Sequence, residues 1–162
     1  MRVFIGLGSN LERPLEQIKT AVKDMQLMSE TKFIACSSLY KSPPMGPQDQ
    51  PDYINAVIEL DTELAPHLLL DHLQKIEQQH GRIRKRHWGE RTLDLDLLVY
   101  GDVVISDERL TVPHPGIATR AFVLYPLAEL DEQLVIPSIG KVEQLVKHCP
   151  RDGLQQVEKI GL

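Results

Sequence analysis

Apolar positions recur along this chain with two periods, about two residues in some stretches and three to four in others. "VFIGL" at 3–7 is short and β-branched and predicts a strand. "GLGSN" at 6–10 lacks the spacing of a dinucleotide-binding loop, so a tight turn into the next element is expected there. Pro14 is placed to open a helix with Leu15, Ile18, Val22 and Met25 on one face. "KFIACSSLY" (32–40) and the alternating "YINAVIELDT" (53–62) predict two more strands. Between them, "KSPPMGPQDQPD" (41–52) holds four prolines and a glycine and is expected to be irregular. Pro66 opens a second predicted helix, with Leu69, Leu73 and Ile76 inward and an end near Gly81. "TLDLDLLVYG" (92–101) predicts a strand, and "GDVVIS" (101–106) is expected to return beside it as a hairpin.

The predicted order over residues 2–100 is β-α-β-β-α-β. That is the ferredoxin-like pattern, an α+β fold with an antiparallel sheet and helices on one face. Helical patches near 118–130 and 140–148 would extend or flank this core. With 162 residues and no internal repeat, one domain spanning 1–162 is expected.

Composition narrows the class of protein. The net charge of −5 argues against a general nucleic-acid binder and confines polyanion affinity to a local patch. The first residues reach glycine and asparagine too soon for a signal peptide. No apolar run approaches the ~18 residues that span a bilayer. Cys36 and Cys149 make no metal-ligand spacing and are expected as idle thiols in a reducing compartment. A cytoplasmic protein without membrane or nucleic-acid partners is expected.

The local patch is "RKRHWGERTLDLDLLVYG" (84–101), where cations precede two aligned anions. On a strand, Asp94 and Asp96 point one way while Leu93, Leu95 and Leu97 point the other. Two carboxylates on one face suit a hard cation such as Mg²⁺, which takes one or two carboxylates plus phosphate oxygens and water. A solvated polar face paired with arginines is the competing reading of the D-x-D spacing. Arginine clusters bind phosphate through bidentate bonds, so the neighbouring cations raise the metal–polyphosphate reading, although alone they would be a solvated charge run. There is no P-loop, no Ser-His-Asp set and no Cys-His set. His67, His72, His80 and His148 read as helix-surface or helix-end residues. His114, held between prolines in "VPHPG", is either structural or a constrained binding residue.

Five segments together resemble the 6-hydroxymethyl-7,8-dihydropterin pyrophosphokinase family of folate biosynthesis. They are "GLGSNL" (6–11), "SPPMGPQDQPDYINAV" (42–57), "GRIRKRHWGERTLDLDLL" (81–98), "LTVPHPG" (110–116) and "RAFVLYPLAEL" (120–130). The resemblance implies a ferredoxin-like transferase that moves the β,γ-pyrophosphoryl group of ATP to the pterin hydroxymethyl oxygen, uses two Mg²⁺ ions and releases AMP. It implies that Asp94 and Asp96 hold the metal, and that they act with Arg82 and Arg91 as the catalytic set. Arg84, Trp88, Arg109, His114 and Arg120 would join Arg82 and Arg91 on the nucleotide. Gln74 and Glu77, on the polar side of the second helix, would face the nucleotide, with Leu97 and Thr111 meeting adenine or ribose largely through backbone.

For the pterin, Tyr53 and Phe122 would form the slot walls, unless they are plain core. Asn55 and Asp94 would meet its polar edge, and Ser42, Pro43 and Met45 would present backbone groups. The loop from Arg82 to Arg91 is expected to close over Mg-ATP, with Trp88 as its reporter. His87 and Glu90 depart from the family's pattern, which has arginine before the tryptophan and often proline after the glycine; both bear on rate and nucleotide affinity. No dedicated general base stands out. Only small-molecule substrates and a monomeric state are expected. The alternatives are a ferredoxin-like RNA- or nucleotide-binding module, or a pseudo-enzyme that binds nucleotide without transfer.

Overall fold

Two prolines open the two helices of the N-terminal frame. The computed structural model describes residues 1–10, 13–43, 52–80, 93–151 and 153–159. The N-terminal frame runs β1 (Arg2–Ser9), α1 (Pro14–Gln26), β2 (Thr31–Cys36), β3 (Ser38–Ser42), β4 (Tyr53–Thr62), α2 (Pro66–Gln79) and β5 (Asp94–Tyr100). Pro14 and Pro66 each occupy the first helical position, where a missing N–H costs nothing. The inward faces are Ile18, Ala21, Val22 and Met25 on α1, and Leu69, Leu70, Leu73 and Ile76 on α2.

The C-terminal part adds β6 (Ile105–Ser106), β7 (Thr111–Val112), α3 (Ala121–Leu130), β8 (Val135–Ile136), β9 (Gly140–Lys141), α4 (Val142–Lys147) and β10 (Gln155–Lys159). The main sheet has the order β10-β3-β4-β1-β5, with β2 also paired to β4, and its pairings are antiparallel.

Side chains sort to the two faces by the strand period of two. Val3, Ile5, Leu7, Leu95 and Leu97 pack with α1 and α2 in one core. Phe4, Val57, Leu98 and Val99 pack on the other face with Val123 and Leu127 of α3 and Val142 of α4, Leu98 and Val99 together because β5 carries an extra residue where the β1–β5 register shifts between Phe4 and Ile5. Helices therefore cover both faces, not the single face expected. The reason lies in α3, whose apolar residues need a partner surface that α1 and α2 have left open.

Three local expectations are also corrected. "GLGSN" does not turn at Gly6, because β1 continues in register to Ser9, paired with β4 throughout. "KFIACSSLY" is interrupted at Ser37. Four steps from Cys36 to Tyr40 face three from Ile58 to Asn55, so one extra residue bulges out. Ser37 stays bound there: its N–H donates to the Val57 carbonyl at 2.9 Å, and its hydroxyl accepts the Val57 N–H at 2.9 Å. "GDVVIS" does not return along β5; its last two residues pair with Thr111 and Val112 instead. That ribbon brings the following turn back to β5, where the His114 N–H donates to the Leu98 carbonyl at 2.9 Å.

Carboxylates tie the end of α3 to the sheet: Asp131 pairs with Arg2 of β1 at 2.9 Å, and Glu129 reaches β3. Glu129 accepts the Ser38 N–H and hydroxyl at 2.9 and 2.8 Å, and the Tyr40 hydroxyl at 2.6 Å. This fixes the height of α3 above β3 and β4, and so the width of the gap beside it.

Candidate active site

The gap between α3 and the sheet is a cavity of about 120 Å³. Its floor is β1, where Gly6 and Gly8 put no side chain on that face. The flanking strands supply the chemistry in register. Gly8 pairs with Asn55 of β4 on one side and Asp94 of β5 on the other. Gly6 pairs with Asp96 two residues along. The carboxylates and the amide therefore stand across a strip of bare backbone, with Tyr53 beyond Asn55, and Arg120 and Phe122 entering from α3 and its start.

Asp94 and Asp96 share this face as the sequence predicts, while Leu93, Leu95 and Leu97 are buried opposite. Asp94 is half-buried and Asp96 is 51% exposed. His114 stands near Asp96, its Nε2 4.0 Å from Oδ2. The Gly116 N–H donates to His114 Nδ1 at 3.1 Å, so the ring proton sits on Nε2. Burial lowers the His114 pKa below the ordinary histidine value, opposed by Asp96 and assisted by Arg120. His114 is therefore a neutral ring that offers an N–H toward the carboxylate edge. Gly116 leaves room for Arg120: a Cβ there would lie 2.5 Å from the Arg120 Nε. The guanidinium stands 5.8 Å from the centre of the Phe122 ring.

Asn55 is 4% exposed, and its Nδ2 donates to Ser42 Oγ at 2.7 Å. Ser42 thus meets the site through its side chain, by way of Asn55. Pro43 follows it, exposed at the end of β3. Asp94 and Asp96 fit Mg²⁺ by chemistry, being hard oxygen donors on one rim of the cavity. Among the described residues no cluster of three or more candidate ligands occurs.

Other predicted residues lie away from the cavity. Arg109 and Gln74 do come together, on the outer side of α2, with Arg109 donating to Asp71 at 2.6 Å and to Gln74 at 3.4 Å. Asp71 was not anticipated. Leu97 turns its side chain into the core, and Thr111 is exposed on β7. Glu77 is not on the polar side of α2: it is 7% exposed, and its carboxylate accepts the Leu95 N–H at 2.8 Å. Met45, Arg82, Arg84, Trp88 and Arg91, together with the expected lid, lie outside the described residues.

Sequence reasoning missed Gly6 and Gly8 as site residues. The signal was there, because glycines two apart in a β-branched run mark one strand face stripped of side chains.

Known proteins share this chain's features. The profile of the family described as 7,8-dihydro-6-hydroxymethylpterin-pyrophosphokinase (HPPK) matches residues 4–132. A Haemophilus influenzae protein named 2-amino-4-hydroxy-6-hydroxymethyldihydropteridine pyrophosphokinase is 53% identical over 144 residues, 89% of this chain and 90% of that protein. A Pseudomonas aeruginosa protein of the same name is 47% identical over 156 residues, 96% of each. A crystal structure of wild-type Plasmodium falciparum HPPK-DHPS matches 90% of this chain with a TM-score of 0.65 at 12% identity, a likeness of fold. This chain spans 43% of that longer one.

Proposed function

The chain belongs to the 7,8-dihydro-6-hydroxymethylpterin-pyrophosphokinase (HPPK) family, and from that premise we propose how its own residues carry the family's reaction. The enzyme transfers the pyrophosphoryl group of ATP to the hydroxymethyl group of 6-hydroxymethyl-7,8-dihydropterin, releasing AMP, a step of folate biosynthesis.

One observation carries the assignment of residues: Asn55 and Asp94 flank Gly8 in a single rung of the sheet. A flat, polar-edged heterocycle lying on bare backbone would reach an amide on one side and a carboxylate on the other. Tyr53 and Phe122 supply the apolar surfaces that a pterin ring needs. The pterin hydroxymethyl group would then lie toward Asp94 and Asp96, where the nucleotide phosphates arrive.

Asp94 and Asp96 are the residues that would hold Mg²⁺, two ions by family resemblance. When bound, the metal supplies charge neutralisation for the phosphates. Arg120 and the neutral Nε2–H of His114 would bind phosphate oxygens beside it, with Arg82 and Arg91 as further cations from the sequence. The protein's part is alignment of the alcohol with the β-phosphorus and stabilisation of developing charge, the main demands of phosphoryl transfer. Arg109 and Gln74 would form the outer edge of the nucleotide site.

The β1–β5 frame reads as ferredoxin-like. Its strand order, with β1 between β4 and β5 and with β2 and β3 outside β4, supports that class. One pyrophosphokinase domain, a monomer working in the cytoplasm, remains our reading. No helix among the described residues is long and apolar enough to cross a membrane. A nucleotide- or RNA-binding module without transfer is not favoured, because relatives matched over about nine-tenths or more of their length are named as the pyrophosphokinase.

The test is incubation with Mg-ATP and 6-hydroxymethyl-7,8-dihydropterin. AMP release that needs both the pterin and the metal is expected. Nucleotide binding with no pterin-dependent AMP would overturn the reading.

A further inference from the structure

We propose that the Ser42 hydroxyl is a positioning group: it holds the Asn55 side-chain amide with the carbonyl oxygen over the cavity floor. This rests on the pterin reading above. A primary amide can present either an acceptor or a donor to a ligand, and the choice is fixed by what the other end binds. Here the other end is settled. Asn55 Nδ2 donates to Ser42 Oγ at 2.7 Å. Both residues are buried, at 4% and 7% exposure.

The carbonyl end faces the floor. Asn55 Oδ1 lies 3.3 Å from the point where a Cβ on Gly8 would stand. Among the described residues no donor reaches that oxygen, so a buried acceptor is held ready at the cavity wall. Leaving such a group unpaired is costly, and a ligand N–H that meets it recovers that cost.

Ser42 and Asn55 sit on adjacent antiparallel strands, offset by two residues, with Ser42 opposite Tyr53 and Asn55 opposite Tyr40. The bond is therefore diagonal, and its length depends on the register that β3 and β4 resume after the Ser37 bulge. The chemical consequence is selection. The site takes a heterocycle whose edge at this point carries an N–H, as the amino and ring N–H groups of a pterin do, and disfavours one that places a lone pair there.

The test is a double-mutant cycle read by calorimetry. Pterin binding is measured with 6-hydroxymethyl-7,8-dihydropterin in the presence of Mg²⁺ and a non-hydrolysable ATP analogue. Analogue binding is measured without pterin. Ser42→Ala is expected to weaken pterin binding on the order of tenfold, with analogue affinity within about twofold. Ser42→Thr keeps the hydroxyl and is expected to stay within about threefold of the parent protein. In an Asn55→Ala background, Ser42→Ala is expected to add less than about twofold, because its action runs through Asn55.

An undiminished Ser42→Ala effect in that background would overturn the proposal, as would equal losses for both ligands or pterin binding unchanged by Ser42→Ala. If the parent protein binds the analogue but no pterin, the pterin reading itself falls, a different result from any of these.

Discussion

Glu77 Oε2 accepts the main-chain N–H of Leu95 at 2.8 Å, and Leu95 is the residue between Asp94 and Asp96. A buried carboxylate from the last turns of α2 thus anchors the edge strand at the point where the acidic pair projects. Edge strands lack a second neighbour to hold them straight, and β5 is at the end of its sheet. Glu77→Ala would leave a buried N–H unpaired, a cost of about 1–3 kcal/mol. Glu77→Gln keeps an acceptor oxygen and should lose less. Thermal unfolding together with kcat and KM for Mg-ATP checks this: the alanine variant should fall in both stability and kcat, with glutamine intermediate.

Asp94→Asn and Asp96→Asn should each reduce turnover on the order of 10²- to 10³-fold, the scale of removing one well-placed electrostatic group. Their carboxylates lie on the cavity face and not in the core, so strand and helix content should be unchanged. Titration of activity against Mg²⁺, alongside circular dichroism, decides it. An Asp96→Asn protein with ordinary turnover at limiting metal would remove Asp96 from the metal site.

Gly8→Ala tests the bare floor. Its backbone has no positive φ, so alanine meets no conformational strain and by itself reduces unfolded-chain entropy. Its Cβ, however, would stand 3.3 Å from the Asn55 carbonyl oxygen, tighter than ordinary contact. The expected result is a melting temperature close to that of the parent, with pterin affinity reduced roughly tenfold, within the range of a small overpacking penalty. Calorimetry with pterin and with an ATP analogue should show the loss on the pterin side.

Cys36 gives a pH prediction. Burial, with Glu129 as a second cause, raises its thiol pKa from 9.0 to about 12. The folded protein thus holds this proton more tightly than the unfolded chain. The resulting stabilisation is complete below pH 9.0 and is lost as pH rises toward about 12. At pH 8, iodoacetamide should modify Cys36 much more slowly in native than in denatured protein, because the thiolate is the nucleophile. Mass spectrometry of the peptide containing Cys36 measures the two rates.

The local parts of this protein were legible in its residues alone. Opposite faces for Asp94 and Leu95 follow from the pleat of a strand, and Pro14 and Pro66 open helices because a first-turn N–H is dispensable. Such features depend on neighbours within a few positions. Composition and five motifs also carried the family and its reaction. The remainder depended on which distant segments meet. The Ser37 bulge exists only in relation to β4, and it sets the diagonal from Ser42 to Asn55. Glu77 looked polar-facing on a helical wheel, yet burial of a carboxylate is tolerable once an unpaired N–H of β5 is brought to it. "GLGSN" looked like a turn until two flanking strands claimed its N–H and C=O groups, which converts two glycines from a bend into a floor. In each case the deciding energy is a contact between residues far apart in sequence, and a one-dimensional pattern does not contain it.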